Sequence, residues 1–569
     1  MILPDPADTT VHRAFGRIAR AHPDRPFLQV LPEVAERCGI APLELSYGRA
    51  LEAVEAIASR FAAAGYGHGH RVGLLLENRP SFFLNWLALN ALGVSVVPIN
   101  GELRAAELDY LVEHSELCAA VALPARVADL SAAAERRGCE VRVVPSFDDE
   151  VQAGTTVPGP GSAPRGLDAL TRAPRAAPCR GEPGPDTECG LLYTSGTTGR
   201  PKGCVLPNAY YLLAGAWYVG AGGLCTIRLG EERLLTPLPM THMNAMAYST
   251  MAMVLSAGCV VPLDRFHPSG WWAAVRASRA TIVHYLGVMP AMLIGAPASE
   301  ADRDHAVRFG FGAGVDRRHQ APFEARFGFP LLEAWAMTET GAGAVVIASH
   351  EPRHVGQSCF GRAAPAVELR IVDEAGVDLP DGTPGELLVR AAGPDPRRGF
   401  FREYLKDPQA TAEAWAGGWF HTGDVVRRGE GGELYFVDRR KNVIRRSGEN
   451  IAAVEVESVL RRHPGVREVA VAATPDPVRG DEVLACVVPV GPLDAAARTA
   501  LAHALVALSL EQLAYFKAPG YVAFVDALPL TPTQKVQRGE LKALAATLPG
   551  TACCIDTRAL KKRPAAAGL

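Results

Sequence analysis

Between residues 47 and 123 two kinds of apolar pattern alternate. Stretches such as Tyr47 to Ala64, residues 80–92 and residues 105–115 read as helices. Between them stand short runs that are apolar almost throughout: VGLLLEN, VSVVPIN and AAVALPA. Such runs mark strands covered on both faces, and their alternation with helices predicts a parallel sheet with helices on each side. The run SFFLNWLALNALGVSVVPIN at 81–100 is long enough to raise the question of a membrane span. Asn85, Asn90, Gly93, Pro98 and Asn100 interrupt it, and its period changes halfway. It therefore reads as a buried helix followed by a buried strand, in a protein with no membrane segment.

The pattern changes three times further on. Residues 145–187 are rich in Pro, Gly, Ala and Arg and have little periodicity, as a surface loop does. Alternation resumes at Leu191 and continues through TIVHYLGV and PLLEAWAM. Over about 365–440 the texture becomes that of short alternating strands, VELRIVD, GELLVRA and GELYFVD, separated by DEAG, DGTPG and GEGG turns. This predicts a compact antiparallel, barrel-like subdomain. From 441 to 548 a separate small α+β domain is expected, built from NVIRR, a helix at 452–463, VREVAVAAT, EVLACVVPV, a helix at 494–509 and YVAFVDAL. The tail, 549–569, lacks periodicity and is expected to be disordered. The fold class is thus α/β, with a large N-terminal domain over 1–440 and a small mobile C-terminal one.

Length and composition fit this division. A chain of 569 residues exceeds one ordinary domain, and 48% hydrophobic with 21% charged residues suits a folded chain with a sizeable core. The net charge of −3, with scattered cations, gives no nucleic-acid footprint. Twelve cysteines form no metal-ligand spacing, and Cys553 and Cys554 are merely adjacent, so reduced thiols are expected. The start, MILPDPADTT, lacks the basic and apolar regions of a signal peptide, and a cytoplasmic location is expected.

Candidate chemistry begins at LLYTSGTTGRPKGCVL, residues 191–206. A Walker loop requires Ser or Thr after its lysine, whereas Lys202 is preceded by Pro201 and followed by Gly203. The anion-binding logic survives that failure. Gly196, Gly199 and Gly203 free the backbone to turn N–H groups inward, Thr194, Ser195, Thr197 and Thr198 add hydroxyls, and Lys202 adds charge.

This segment resembles the signature of the acyl-adenylate-forming enzymes: acyl-CoA synthetases, adenylation domains and luciferases. Further stretches resemble that family's motifs in the right order: GFGAGVD at 310–316, AWAMTETG at 334–341, GWFHTGDV at 418–425, DRRKNVIRRSGENIAAVEVE at 438–457 and PLTPTQKVQR at 529–538. The resemblance spans about residues 10–545. It implies an ATP-dependent acyl-CoA synthetase that joins a carboxylate to AMP with loss of pyrophosphate, then passes the acyl group to coenzyme A. Neither step needs a protein nucleophile, so catalysis rests on positioning and on neutralising phosphoryl charge.

The family's roles carry over residue by residue. Thr194, Ser195, Gly196, Thr197, Thr198, Gly199 and Lys202 would cradle the phosphates, and Thr198 with Glu339 would orient Mg²⁺. Trp335 would lie against adenine, with Gly312, Ala313 and Gly314 close on the other side and Ala336, Met337 and Thr338 completing the motif. Asp424 and Arg439 would reach the ribose, and Lys535 would bridge carboxylate and α-phosphate. Lys441 would be the hinge about which the small domain rotates, bringing in turn Lys535 and the Ser447-Gly448-Glu449-Asn450 loop of the coenzyme A tunnel. Asn442 stands where an acidic residue often follows the hinge.

PLPMTHMNAM at 237–246 resembles the segment that places an aromatic residue or histidine at the acyl pocket. His242 would gate the carboxylate side, or equally serve as a partly buried, backbone-bonded histidine. Trp217, Met243, Asn244, Leu286, Val288 and Ala336 are further wall candidates, and Asn244, His242 and Tyr285 suit a short or polar acid. Ala336, where the family has glycine, narrows the carboxylate end. Residues 235–295 are most similar to the carnitine/crotonobetaine–CoA ligase branch. Two rivals stand beside this reading: a stand-alone adenylation enzyme serving a carrier protein or forming an amide, and an inactive nucleotide-binding regulator. No aspartate occupies 241–244, which argues against an amino acid but not an aryl acid. A homodimer is left open.

Overall fold

The run at 81–100 folds as its interrupted pattern requires. In a computed structural model describing residues 9–146, 170–194, 200–439, 443–529 and 536–561, it forms the helix Pro80–Ala91 and the strand Ser95–Pro98. Both are buried on all faces, and the helix buries Phe82, Phe83, Trp86 and Leu87. Each such side chain contributes about 1.5–3 kcal/mol relative to exposure. Among the described residues, no helix is long and apolar enough to cross a membrane.

The chain divides into two compact units. One comprises Met1–Gly101, Val112–Leu192 and Gly203–Asp438; the other comprises Glu102–Leu111, Tyr193–Lys202 and Arg439–Leu569. The helices Tyr47–Ala63 and Ala105–Ser115 and the strands Arg71–Leu75 and Ala119–Ala122 fall where the apolar pattern predicts them. One described sheet has the strand order Arg142–Pro145, Ala119–Ala122, Arg71–Leu75, Ser95–Pro98, Glu188–Thr194, Lys202–Pro207.

A second sheet runs Val346–Ile347, Leu331–Trp335, Phe309–Ala313, Ile282–Leu286, Arg233–Thr236, Cys259–Pro262, Pro26–Val30, Leu43–Ser46. Its interior pairs are parallel. The β-rich part is an antiparallel sheet ordered Cys359–Gly361, Leu434–Arg439, Phe420–Arg428, Gly385–Ala391, Val367–Val372. Phe420–Arg428 is a long strand that begins inside GWFHTGDV and runs past it, which the sequence pattern did not single out.

In the second unit, the strand Gly480–Pro489 pairs antiparallel with Val466–Asp476 and parallel with Tyr521–Phe524. Its Gly480 end also meets the strand Val443–Arg446. Here the expectation of a disordered tail from 549 is corrected. Cys554–Asp556 pairs antiparallel with Tyr521–Phe524, and Lys561 is buried against Glu482. Three strand residues and one cation are too few to leave a periodic signal, because what orders them is partners distant in sequence. Residues 562–569 lie outside the described residues.

The cysteines are all free thiols. Burial pushes several of them up, Cys189 to about 12. Beside Cys189 lies a polar knot in the larger of the two apolar cores of the first unit, the first core. Fully buried Asn208 accepts from Val11 N at 2.9 Å and from Asn90 Nδ2 at 2.8 Å, and donates to Gly184 O and Thr187 O, each at 3.1 Å. Replacing it by leucine, which keeps the branched shape but cannot hydrogen-bond, orphans several of these groups at once. Asn208→Leu is therefore expected to lower stability by about 3 kcal/mol or more, read as a drop in the denaturant midpoint.

Candidate active site

The strands Ile282–Leu286, Phe309–Ala313 and Leu331–Trp335 lie side by side and parallel, so their carboxyl ends share one edge. In open α/β sheets that edge is where ligands bind. Gly312 is in register with Tyr285 on one side and Glu333 on the other. A Cβ at Gly312 would lie 2.2 Å from Tyr285 O, so only glycine fits. Gly314 has φ +76°, the left-handed region glycine tolerates at little cost.

The loop that follows is held by a carboxylate the sequence reading passed over. Glu333 is 6% exposed; its Oε2 accepts from Gly314 N at 2.8 Å, and its Oε1 accepts from Val315 N at 3.2 Å and from Tyr285 Oη at 2.5 Å. Three donors thus meet one buried carboxylate and draw the segment 312–315 over the strand ends. The expectation that Tyr285 suits the acid is corrected here: its hydroxyl is committed to Glu333. Burial, with Glu333 adding to it, raises the phenol well above its ordinary range.

The turn after Trp335 is fixed at successive residues. Trp335 Nε1 donates to Asp424 Oδ2 at 2.9 Å, joining two residues nominated from separate motifs. Asp424 is 1% exposed, and its own N–H donates to Thr422 Oγ1. Met337 N donates to Thr340 Oγ1, and Thr338 O accepts from Tyr210 Oη at 2.8 Å. Glu339 O accepts from Phe401 N, while its Oε1 accepts from Tyr404 Oη at 2.9 Å. Tyr210 and Tyr404 are therefore supports that no motif marked. Burial, with Glu339 adding to it, raises the Tyr404 phenol far above its usual value. Ala336 packs against the first core.

The acyl-pocket candidates separate. Trp217, Leu286 and Ala336 pack on the core that contains Met243, whereas Val288 packs against the other core of the same unit. Val288 is thus the one apolar wall candidate grouped away from the other apolar ones. His242 is half-buried and begins the approach to a π-helical segment, Asn244–Ser249. π-helical turns recur at functional sites, and this one is stabilised by Thr250 Oγ1 donating to Ala245 O five residues back. His284 ties it to the sheet, touching Ser249 Oγ and, at 2.8 Å, Thr236 Oγ1. Burial pushes the imidazole down to about 3, so it stays neutral at ordinary pH. Thr241 Oγ1, Asn244 Oδ1 and the Tyr248 hydroxyl are buried without a hydrogen-bond partner among the described residues, and the Tyr248 ring lies 5.4 Å from that of Trp217.

Thr194 ends the strand Glu188–Thr194, and Lys202 begins Lys202–Pro207. Ser195, Gly196, Thr197, Thr198, Gly199, Lys441 and Lys535, and the side chain of Arg439, lie outside the described residues. Ser447 and Gly448, in the second unit, connect the paired strands Val443–Arg446 and Glu449–Ala452.

Two family descriptions match the chain: AMP-binding enzyme over residues 15–405 and AMP-binding enzyme C-terminal domain over 455–535. The chain belongs to the AMP-binding enzyme family. A crotonobetaine/carnitine–CoA ligase of Escherichia coli O45:K1 is 30% identical over 517 residues, covering 90% of this chain and 95% of that protein. Among solved structures, an o-succinylbenzoate CoA synthetase from Bacillus subtilis shares the fold with TM-score 0.76 at 22% identity, covering 94% of this chain and 98% of that one. An amide bond synthetase from Marinactinospora thermotolerans matches with TM-score 0.74 at 26% identity, over 94% and 99% of the two chains. This family member is an ATP-dependent, AMP-forming acid–CoA ligase.

The Glu333 clamp is open to a direct test. Glu333→Gln replaces one acceptor oxygen with a donor facing N–H and O–H groups, and is expected to cost about 2 kcal/mol. Tyr285→Phe, which removes a single donor, is expected to cost about 1 kcal/mol. Denaturant titration of the two variants checks both the size and the order.

Proposed function

We propose that this ligase activates a small or medium polar carboxylic acid, forming its adenylate from ATP and then its coenzyme A thioester. The observation that carries the reading is the pairing of Trp335 with Asp424 beside the Tyr404-supported Glu339. Residues from separate motifs stand together at an edge where nucleotides bind α/β sheets. Polar substrate chemistry is supported by Thr241 Oγ1, Asn244 Oδ1 and the Tyr248 hydroxyl, which lack a partner among the described residues, since buried polar groups are normally paired. The first relatives' own substrates, crotonobetaine and carnitine, belong to the same polar class.

In this reading the 194–202 loop, with Lys202, holds the β and γ phosphates that leave as pyrophosphate. Gly312 to Gly314 and Trp335 bound the adenine, and Asp424 and Arg439 bind the ribose. Lys535 meets the carboxylate and α-phosphate and stabilises charge as the phosphoryl centre is attacked. Glu339 fits Mg²⁺: a carboxylate is a hard ligand, and this ion is commonly held by one or two carboxylates plus substrate phosphates. When bound, the ion would neutralise phosphate charge, and Thr198 would hold it together with Glu339. Lys535 and the Ser447–Asn450 turn act one after the other, with Lys441 as hinge. The cytoplasm is the proposed location.

Pyrophosphate release over a panel of butyrate, crotonate, crotonobetaine, carnitine, benzoate and o-succinylbenzoate, with and without coenzyme A, tests the proposal. The polar aliphatic acids are expected to lead. Release from none of the acids would overturn it, and an adenylate never captured by coenzyme A would move the assignment toward amide formation or carrier loading. Lys535→Ala is expected to abolish adenylation while leaving thioester formation from supplied acyl-AMP measurable. Equal loss of both halves would sink the rotating-domain reading.

A further inference from the structure

Within the second unit, three successive residues, Arg445 to Ser447, are held by Arg479, Asp481 and Glu482 of the neighbouring segment. Arg445 N donates to Asp481 Oδ2 at 3.0 Å, Arg446 Nε donates to both carboxylate oxygens of Glu482 at 2.8 and 2.9 Å, and Ser447 N donates to Arg479 O at 3.0 Å. Immediately after them comes the connection Ser447-Gly448, with φ +51° and +89°. Two consecutive left-handed residues are the pattern of a type I′ hairpin turn. Serine pays for that conformation where glycine does not. The Ser447 hydroxyl is buried and lacks a partner among the described residues.

Glu482 is the centre of this arrangement. It is fully buried between Arg446, 4% exposed, and Lys561, 8% exposed. Lys561 Nζ donates to Glu482 Oε1 at 2.5 Å and to Phe516 O at 3.5 Å. Burial raises the Glu482 carboxyl, and the two cations more than offset that, holding it below the usual carboxylate range. Burial, reinforced by Arg446, pushes Lys561 down to about 7. The segment carrying Lys561 is itself anchored: Cys554–Asp556 joins the sheet, and Thr557 Oγ1 donates to Pro519 O at 2.8 Å. It lies beyond residues 455–535, which the C-terminal family description covers.

We propose that Glu482 and Lys561 are positioning residues for thioester formation, fixing Arg446 and through it the turn at Ser447–Asn450. The proposal rests on the reading that this turn meets coenzyme A. Glu482 Oε1 is shared by Arg446 Nε and Lys561 Nζ, so loss of Lys561 leaves that buried oxygen short of a donor and lets the carboxylate shift on Arg446. The C-terminal segment thereby acts on one half-reaction and not the other.

The test measures the halves separately in the full chain: ATP–pyrophosphate exchange for adenylation, and release of thioester from supplied acyl-AMP with coenzyme A varied. The adenylate is that of the best acid in the panel. Lys561→Met, which keeps the stem, and Glu482→Gln are each expected to raise the KM for coenzyme A about tenfold, with exchange within about twofold of the parent. Gly448→Val, which strains the turn directly, is the control for the underlying reading. If it impairs thioester formation and Lys561→Met does not, the positioning role is overturned. An equal fall of both halves in Lys561→Met would reduce the triad to general stability and overturn it too. Unimpaired thioester formation in Gly448→Val would instead remove the coenzyme A reading of the turn, and the proposal with it. Lys561→Met keeps the test decisive if Glu482→Gln fails to fold.

Discussion

A carboxylate taken out of water must be met by donors or cations on nearly every side, because an uncompensated buried charge costs several kcal/mol. Glu333, Glu339, Asp424 and Glu482 are each less than a tenth exposed. Each is met, and each by groups from a different part of the chain. Glu333 gathers Tyr285 and the 314–315 backbone; Glu339 takes Tyr404; Asp424 takes Trp335; Glu482 takes Arg446 and Lys561. Loops that would otherwise be free at the strand ends are thus pinned at single, strongly preferred positions.

This bears on the proposed reaction, which needs no protein nucleophile. There charge neutralisation and orientation would supply the acceleration, and both depend on groups held before substrate arrives. The supporting tyrosines are suited to that task. They bury a large ring in the core while presenting one hydroxyl, and burial keeps that hydroxyl protonated and therefore a donor. The π-helical segment Asn244–Ser249 belongs to the same logic: it is tied to the sheet by a neutral, buried His284 while polar atoms of the segment lack partners among the described residues.

Much of the fold was legible along the chain. Helices and doubly buried strands through residue 123, the antiparallel texture of 367–391 and the small domain's strands follow from period alone, since burial on one or both faces leaves its mark residue by residue. The motif residues were legible for a related reason: glycines at Gly312 and Gly314 and acids at Glu339 and Asp424 sit in short ordered strings. What stayed hidden lacked local context. Glu333, Tyr404, Tyr210 and Lys561 look individually like ordinary residues of a strand, a loop, a helix and a tail, and Tyr285 looked available to substrate when its hydroxyl was already taken.

By itself, then, the sequence determined the layered α/β plan, the separate small domain and the string of adenylate-forming motifs, because periodicity and spacing are properties of neighbouring residues. Tertiary structure alone decided which donors meet each buried carboxylate, that Val288 packs apart from the other pocket candidates, and that the last described residues close onto Glu482. Those outcomes depend on desolvation and on partners tens to hundreds of residues away, and no local pattern encodes either.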